Sequence, residues 1–303
     1  MTALTAGEIA ERTGLAVQPA HWSTLCPSLN IGGTNTSSAA PLAGVTHGGD
    51  VVLADALRQR GHVQIDRAVP VAAARRLAEA AVQLKRAGWP PVFLAVYDEF
   101  WNLWRVPAVQ TLLSACIGPD VRMRPRIWCY YVHAVRGARG WPPHADDFGR
   151  PGLSVWIPLT DSTIENGCMY VVSKDLAPSI AREHALFDRP VVDLSTATEL
   201  LQCARPLPAD AGSVLAWTFD VIHWGGIAQS SASEPRISVS AEFVPAGAGY
   251  DDLLPPWNVD DGSPAFEHRL RIIGVNLQRF APNDAWSARY APLGLELTRA
   301  ITR

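Results

Sequence analysis

The sequence has no long apolar run and little net charge, and each absence excludes a class of protein. No stretch is long and apolar enough to span a membrane. The first fourteen residues carry Glu8, Glu11 and Arg12 instead of the apolar run of a signal peptide. The formal net charge of -3 argues against a nucleic-acid binder, because such binders depend on neutralising phosphates. We therefore expect a small-molecule partner, with no nucleic acid and no membrane involved.

Cysteine is also scarce and carries no recognisable pattern. The five cysteines are widely spaced, odd in number and never arranged as Cys-X-X-Cys: Cys26, Cys116, Cys129, Cys168 and Cys203. This usage predicts neither a disulfide framework nor a thiolate zinc site, and it is typical of a reducing compartment. We therefore expect a cytoplasmic protein.

What is present indicates a globular protein with a large core. Hydrophobic residues make up 48% and charged residues 18% of the 303 residues, a length compatible with one large domain. Residues 1–50 are predicted to be an irregular N-terminal arm, because Gly, Ser, Thr, Pro and Asn dominate the second half of this segment. Residues 51–245 are predicted to form the core, and residues 246–303 a C-terminal extension that packs on it.

Helical periodicity precedes strand periodicity along the chain. Helices are predicted at residues 55–60, 71–86, 106–116 and 266–280. Short apolar runs bounded by Gly, Pro and Asp predict strands at residues 62–65, 127–132, 153–159, 169–172, 214–218 and 237–244. Many short strands after an opening set of helices indicate a mainly β fold with flanking helices. The predicted architecture is a double-stranded β-helix, the jelly roll of cupin-like proteins.

The segment 141–147 carries the first candidate metal ligands. Side chains two positions apart in an extended chain point to one face, so His144 and Asp146 can address a single point. His223, much later in the chain, can complete the set. Two imidazoles and one carboxylate leave three coordination positions open, enough for a ferrous ion to take a bidentate keto acid and dioxygen. Asp147 is the alternative carboxylate, but its side chain is expected to face away from His144.

Arg236 follows His223 by 13 positions, in a stretch that alternates like a strand. Its planar guanidinium could bind the distal carboxylate of a keto acid through two parallel hydrogen bonds. Ser238 and Ser240 share the same strand face and could add hydroxyl donors. The alternative interpretation is a surface arginine on an edge strand.

Several segments occur together in a specific order. They are residues 57–66, 141–146, 153–161, 165–172 and 210–217, followed by His223 and Arg236. In order and spacing they resemble the phytanoyl-CoA dioxygenase-like family of iron- and 2-oxoglutarate-dependent oxygenases. The resemblance covers residues 51–244, the bulk of the chain.

The resemblance implies a cofactor, two co-substrates and a set of site residues. His144, Asp146 and His223 would be the ligands of Fe(II), the catalytic metal. Arg236 would anchor the C5 carboxylate of 2-oxoglutarate, and Trp156 would border this co-substrate unless it is simply a core tryptophan. Dioxygen would be the second co-substrate. Related halogenases replace the aspartate with a small residue, so the intact Asp146 favours hydroxylation or another C–H oxidation.

The chain departs from the family pattern at two places. After residue 172 the family usually continues with Pro-Gly-Ser-His, whereas this chain has Ser173, Lys174 and Asp175, so the local loop and the substrate entrance are expected to differ. Two positions after the distal histidine the family often has a small polar residue. This chain has Gly225 there, so one contact to the co-substrate is expected to be absent.

Other charged side chains could also belong to a site. Arg122, Arg124 and Arg126 alternate on one strand face, where they could receive an acidic substrate or the keto acid, but a solvated face is the favoured interpretation. Glu183 and His184 could offer another ligand pair, although exposure to solvent is the simpler explanation.

Two other functions remain possible from the sequence. One is a metal-dependent hydrolase or isomerase on a cupin-like barrel, and Arg236 argues against it because a hydrolase needs no keto-acid anchor. The other is a non-catalytic jelly-roll binding module, and the complete set of three ligands argues against it. The substrate is expected to be a small biosynthetic molecule such as a natural product. Four tryptophans could line its pocket or belong to the core: Trp101, Trp104, Trp141 and Trp224.

Overall fold

Two antiparallel sheets flanked by helices form the protein. The structure, a computed structural model, describes residues 3–32, 50–175, 198, 201–250, 257–258 and 262–300. This arrangement confirms the predicted mainly β class with flanking helices. None of the helices in the described ranges is long and apolar enough to cross a membrane. None of the five cysteines, all of which lie in the described ranges, forms a disulfide.

The N-terminal segment is not irregular throughout, so that prediction is wrong for residues 6–25. Helices α1 (Ala6–Ala16) and α2 (Pro19–Leu25) lie there. A capping box starts α1, because the Thr5 side chain accepts from the backbone N–H of Glu8 while the Glu8 carboxylate accepts from that of Thr5. The glycine- and serine-rich part of the predicted arm, residues 33–49, lies outside the described residues.

A helical layer precedes the sheets. It consists of α3 (Asp50–Arg60), α4 (Val71–Arg86), a 3₁₀ helix (Pro91–Val96), α5 (Asp98–Leu103) and α6 (Pro107–Ile117). The bounds predicted for α4 are those observed, because alanine and leucine recur at helical spacing and form one buried stripe. The 3₁₀ helix and α5 were not predicted. Both have only six residues, and the 3₁₀ helix is entirely buried, so no amphipathic pattern is long enough to mark them.

In the part of the chain that the structure describes, nine strands build the sheets. They are β1 (His62–Ile65), β2 (Val121–Val132), β3 (Leu153–Pro158), β4 (Met169–Val172), β5 (Ala204–Leu207), β6 (Val214–Thr218), β7 (His223–Gly225), β8 (Arg236–Pro245) and β9 (Trp257–Asn258). The larger sheet has the order β1-β6-β3-β8-β2-β9, and the smaller one the order β5-β4-β7. All of their pairings are antiparallel.

The register of β8 places a row of polar side chains on one face of the larger sheet. Ser238 lies opposite Tyr130 of β2, and Ser240 lies opposite both Trp128 and Trp156. Since side chains alternate between the two faces of a strand, every second residue of β8 from Arg236 to Glu242 shares this face. The first and last members of the row are an arginine and a glutamate.

Near the C-terminus, α7 (Phe266–Arg279) packs on β2, and α8 (Ala285–Ala300) packs on α7 and α1. The register of β2 shifts between Met123 and Ile127 and leaves backbone groups there without strand partners. The buried side chain of Asn276 satisfies them, accepting from the Ile127 N–H at 3.1 Å and donating to Pro125 O at 3.0 Å. The helix thereby fixes the strand that carries Trp128 and Tyr130.

Candidate active site

The two histidines are brought together by their own backbones. The N–H of His144 donates to His223 O at 3.1 Å, and the N–H of His223 donates to His144 O at 2.9 Å. This reciprocal pair extends the smaller sheet beyond β7 and places the two imidazole centroids 4.3 Å apart. Two positions of the chain that are 79 residues apart in sequence (223 minus 144) therefore face one point.

Asp146 completes the cluster. Its Oδ1 lies 3.6 Å from His144 Nε2 and 3.7 Å from His223 Nε2. One ligand atom from each of the three residues lies within 4.8 Å of the others. Since nitrogen and oxygen ligands bind a divalent metal at about 2.1 Å, two ligands of one ion are at most about 4.2 Å apart, and both carboxylate–imidazole distances meet that limit.

Neighbouring groups orient each of the three side chains. The Oδ2 atom of Asp146 accepts from Ser154 Oγ at 2.5 Å and from Trp217 Nε1 at 3.0 Å, which leaves Oδ1 for a metal. Nδ1 of His144 lies 2.7 Å from Pro142 O, and Nδ1 of His223 lies 3.0 Å from Val221 O. When Nδ1 donates to a carbonyl, the lone pair is on Nε2, which faces the cluster.

The electrostatics of the cluster favour metal binding at neutral pH. Burial lowers the pKa of His223 to about 4, against the attraction of Asp146, so its imidazole is neutral. Burial opposes ionisation of Asp146, but His223 and His144, together with the hydrogen bonds from Ser154 and Trp217, hold the pKa of this carboxyl below its ordinary value. A neutral imidazole and an ionised carboxylate are the forms that bind a metal.

Arg236, at the start of β8, is a buried cation near the cluster. Its side chain is 2% exposed and its Nη1 donates to Met169 Sδ at 3.3 Å. Its Nε has no hydrogen-bond partner among the residues that the structure describes. Among the described residues no carboxylate lies within ion-pair distance of this guanidinium. Burial lowers the pKa of Arg236 to about 10, so the group remains charged at neutral pH. A buried charge without a partner costs free energy, and an anionic ligand would supply that partner.

Two glycines make room for the guanidinium. A Cβ at Gly225 or at Gly140 would lie 2.6 Å from Nη2 of Arg236, closer than real atoms come. In this structure a side chain at position 225 would therefore collide with the guanidinium, which is consistent with the glycine found there in place of the family's small polar residue. The Ser238 hydroxyl, one inward position further along β8, is buried without a partner, and the Trp156 ring centroid lies 5.9 Å from Arg236 Cζ.

One cavity connects these groups. It has an empty volume of about 730 Å³, including the space open to solvent at its mouth, which is within the range of ligand sites. Every residue predicted from the sequence for the site lines it: His144, Asp146, His223, Arg236, Ser238 and Trp156. The group implied by the resemblance fits here, because a dicarboxylic keto acid could place one carboxylate at the unpartnered guanidinium and the other end at the cluster.

Several expectations about the surrounding residues need correction. Arg124 is not on a solvated face: it is 1% exposed, and its Nη1 donates to Asp147 at 3.1 Å and to Glu242 at 2.9 Å. Arg126 lines the cavity, and only Arg122, paired with Asp120, lies near the surface. Glu183 and His184 lie outside the described residues.

The four tryptophans predicted for the pocket or the core lie in different environments. Trp101 and Trp104 are buried in the core, Trp224 stacks on Tyr170, and only Trp141 lines the cavity. Ser154 and Trp217, which hold Asp146, were not identified from the sequence. Ser154 could have been found, because it shares a face of its strand with Trp156 two positions later.

The chain is similar to a family and to several solved structures. The model of a family described as phytanoyl-CoA dioxygenase matches residues 47–237. The non-heme monooxygenase ThoJ in its apo form is 19% identical, with a TM-score of 0.51 over 75% of this chain and 99% of that one. EctD from S. alaskensis in its apoform is 15% identical, with a TM-score of 0.52 over 74% and 89%. These identities show a shared fold alone. No curated protein matches the sequence.

Proposed function

Since the chain belongs to the phytanoyl-CoA dioxygenase family, whose model matches more than half of it, we propose that it oxidises a C–H bond of a small molecule. Fe(II), 2-oxoglutarate and dioxygen are the cofactor and co-substrates of this family, as the sequence resemblance implied. The proposed ligands of Fe(II) are His144, Asp146 and His223. Arg236, with Ser238 and Trp156 beside it, is the proposed anchor of 2-oxoglutarate.

One observation carries this proposal: a buried arginine without a carboxylate partner shares a cavity with a His-Asp-His cluster. The cluster alone would suit many metalloenzymes. The buried guanidinium of Arg236 would in addition be stabilised by an anion bound at a fixed position in the cavity. A keto acid with a second carboxylate meets both conditions, whereas a hydrolase or isomerase on the same barrel has no use for Arg236.

When bound, Fe(II) and 2-oxoglutarate would couple the reduction of dioxygen and the decarboxylation of the keto acid to oxidation of the substrate. The chain's residues prepare the site for that chemistry. Ser154 and Trp217 hold one oxygen of Asp146 and direct the other to the metal. The carbonyl groups of Pro142 and Val221 fix the imidazole rings of His144 and His223, which would hold the metal through Nε2.

We further propose that the two sheets form a double-stranded β-helix. The order β6-β3-β8-β2 in the larger sheet and β5-β4-β7, extended by the His144 bridge, in the smaller one supports this assignment. In such a fold the strands alternate between two facing sheets, and the site lies between them. The proposed setting is the cytoplasm, and the proposed substrate is a small biosynthetic molecule such as a natural product.

A spectroscopic titration tests the proposal. Anaerobic addition of Fe(II) and then 2-oxoglutarate to the protein is expected to produce a visible charge-transfer absorption. The same additions to His144→Ala should produce none. A panel of small molecules, assayed for succinate release and oxygen uptake, then searches for the substrate. Absence of the absorption in the wild-type protein would favour a hydrolase, an isomerase or a non-catalytic binding module.

A further inference from the structure

The cavity is also lined by side chains that the proposed co-substrate does not use. They include Glu242 and three aromatic residues, Trp128, Trp141 and Phe280. Arg236 lies at the start of β8 and Glu242 six positions further along the same inward face, so a cation and a carboxyl group line the cavity at different positions along this strand. These additional lining residues are candidates for contacts with the substrate.

Glu242 is a buried carboxylate with one oxygen occupied and the other open. Its Oε2 accepts from Arg124 Nη1 at 2.9 Å and lies 3.5 Å from Arg126 Nη1. In the described part of the chain Oε1 has no hydrogen-bond partner, and the side chain, 14% exposed, lines the cavity. Because the arginines hold Oε2 in place, Oε1 is a fixed acceptor that faces a ligand.

The position of Glu242 brings any group bound to it close to the metal cluster. Glu242 lies directly opposite Ser154 in the β3–β8 register. Ser154 in turn donates to Asp146 Oδ2 at 2.5 Å. Directly opposite residues of antiparallel strands have Cα atoms about 5 Å apart, so Glu242 is one strand away from the group that holds a metal ligand.

Three aromatic rings that line the same cavity form a continuous wall. The ring centroid of Phe280 is 4.6 Å from that of Trp128 and 4.9 Å from that of Trp141. The wall reaches the metal cluster, since the Trp141 centroid is 5.5 Å from that of His144. Rings packed edge to face present a broad apolar surface that suits the ring system of a ligand.

The charges around Glu242 disfavour a cationic ligand. Burial and the charge of Asp146 raise the pKa of Glu242 to about 8, while Arg126, Arg124 and Arg279 act in the opposite direction. Arg124 and Arg126 already pair with this carboxylate, so an ammonium group brought to Oε1 would add a further cation to a buried site. A hydroxyl group can donate to Oε1 without adding a charge.

We infer that Glu242, when ionised, is a substrate-recognition residue that accepts a hydrogen bond from a hydroxyl group of an uncharged substrate, whose ring system lies against Trp128, Trp141 and Phe280. This inference rests on the proposed function, since it names the substrate class of the same site. It adds the prediction that the oxidised carbon lies near that hydroxyl group.

The variant Glu242→Gln tests the hydrogen bond by reversing its direction. Arg124 and Arg126 both donate towards the position of Oε2, so they will hold the amide oxygen there. The amide nitrogen then takes the position of Oε1 and presents a donor to the cavity. The matched control is Glu234→Gln, since Glu234 is a partly exposed carboxylate that pairs with Arg75 and does not line the cavity.

The probes are three molecules that share one ring system: 1-(1-naphthyl)ethanol, 1-acetylnaphthalene and 1-(1-naphthyl)ethylamine. Their binding is measured by calorimetry at about pH 9, where Glu242 is ionised, on anaerobic protein with Fe(II) and 2-oxoglutarate and on metal-free protein. The wild-type protein and Glu234→Gln should bind the alcohol about tenfold more tightly than the ketone or the amine. Glu242→Gln should prefer the ketone, and Phe280→Ala should weaken the alcohol and the ketone equally.

The inference is overturned if the wild-type protein binds the ketone or the amine as tightly as the alcohol, if Glu242→Gln keeps the wild-type preference, or if none of the probes binds. The two proposals can fail separately. A preference for the alcohol without the charge-transfer absorption would reject the oxygenase and retain the binding site. The absorption without that preference would retain the oxygenase and reject the role of Glu242.

Discussion

At the scale of single residues, the two oxygens of Asp146 have different roles, and this difference fixes the geometry of the cluster. Oδ2 is held by two donors, and Oδ1 faces the two imidazoles. A carboxylate free to rotate would bind a metal less tightly, because its orientation would have to be fixed on binding. Trp217 and Ser154 therefore act as positioning residues.

We predict that Trp217→Phe weakens metal binding. The substitution keeps an aromatic ring at the site and removes only the N–H that donates to Asp146 Oδ2. Loss of a group that orients a metal ligand lowers affinity by about 10- to 100-fold. Calorimetric titration with Ni(II) measures the effect. Trp101→Phe, which removes an indole N–H bonded to Ala95 O in the core, is the control, and equal affinities in the two variants would contradict the prediction.

We predict that Gly225→Ala impairs 2-oxoglutarate binding while leaving the metal site intact. The added Cβ would lie 2.6 Å from Arg236 Nη2 and 2.9 Å from the Cα of Gly140, so the guanidinium must move. Affinity for 2-oxoglutarate should fall by about tenfold or more, as for loss of a charge-assisted hydrogen bond.

Anaerobic titration of the Fe(II) protein with 2-oxoglutarate measures this affinity. Gly14→Ala is the control, because a Cβ there meets no atom within 4 Å. A Gly225→Ala protein with wild-type affinity for the keto acid would show that Arg236 is not its anchor.

At the scale of elements, helices and strands with a regular apolar pattern were predictable, and those without such a pattern were not. The strands β1, β4 and β6 have the bounds predicted from apolar runs between turn residues. The second C-terminal helix was missed because Pro292 interrupts its pattern, although the helix continues through that position. Strand β7 has only three residues and depends on pairing with β4.

We predict that Asn276→Ala destabilises the protein through the irregular part of β2. The substitution leaves the Ile127 N–H and Pro125 O buried without partners. Two such groups cost about 3 kcal/mol in the free energy of unfolding. Urea denaturation measures the change. Gln278→Ala, on the same helix but partly exposed, should cost less than about 1 kcal/mol. A similar loss in the two variants would contradict the proposed role of Asn276.

At the scale of the whole molecule, the sequence could indicate the ligands but not the network around them. His144 and Asp146 stand two positions apart, and this spacing is visible without a structure. The burial of Arg124 was not predictable, because its partners Asp147 and Glu242 lie 23 and 118 positions away. These charges come together only in the folded larger sheet. There the face of β2 that the sequence suggested was solvated lies in the interior.

The charges enclosed by the fold also predict how its stability depends on pH in the metal-free state. The pKa of His223 is about 4 in the folded protein against an ordinary 6.5, so the unfolded chain binds more protons between these values. The free energy of unfolding therefore falls as the pH is lowered from 6.5 to 4. The pKa of Glu242 is about 8 against 4.5, so this group has the opposite effect: stability falls as the pH rises from 4.5 to 8.

Two variants separate these contributions. Urea denaturation of chelator-treated protein across this pH range gives the free energy of unfolding of wild type, His223→Gln and Glu242→Gln. The stability of wild type minus that of His223→Gln should decrease towards acid pH, because only the wild type must protonate a buried imidazole. The difference between wild type and Glu242→Gln should decrease towards alkaline pH. If either difference is independent of pH, the corresponding side chain does not titrate as its buried position requires.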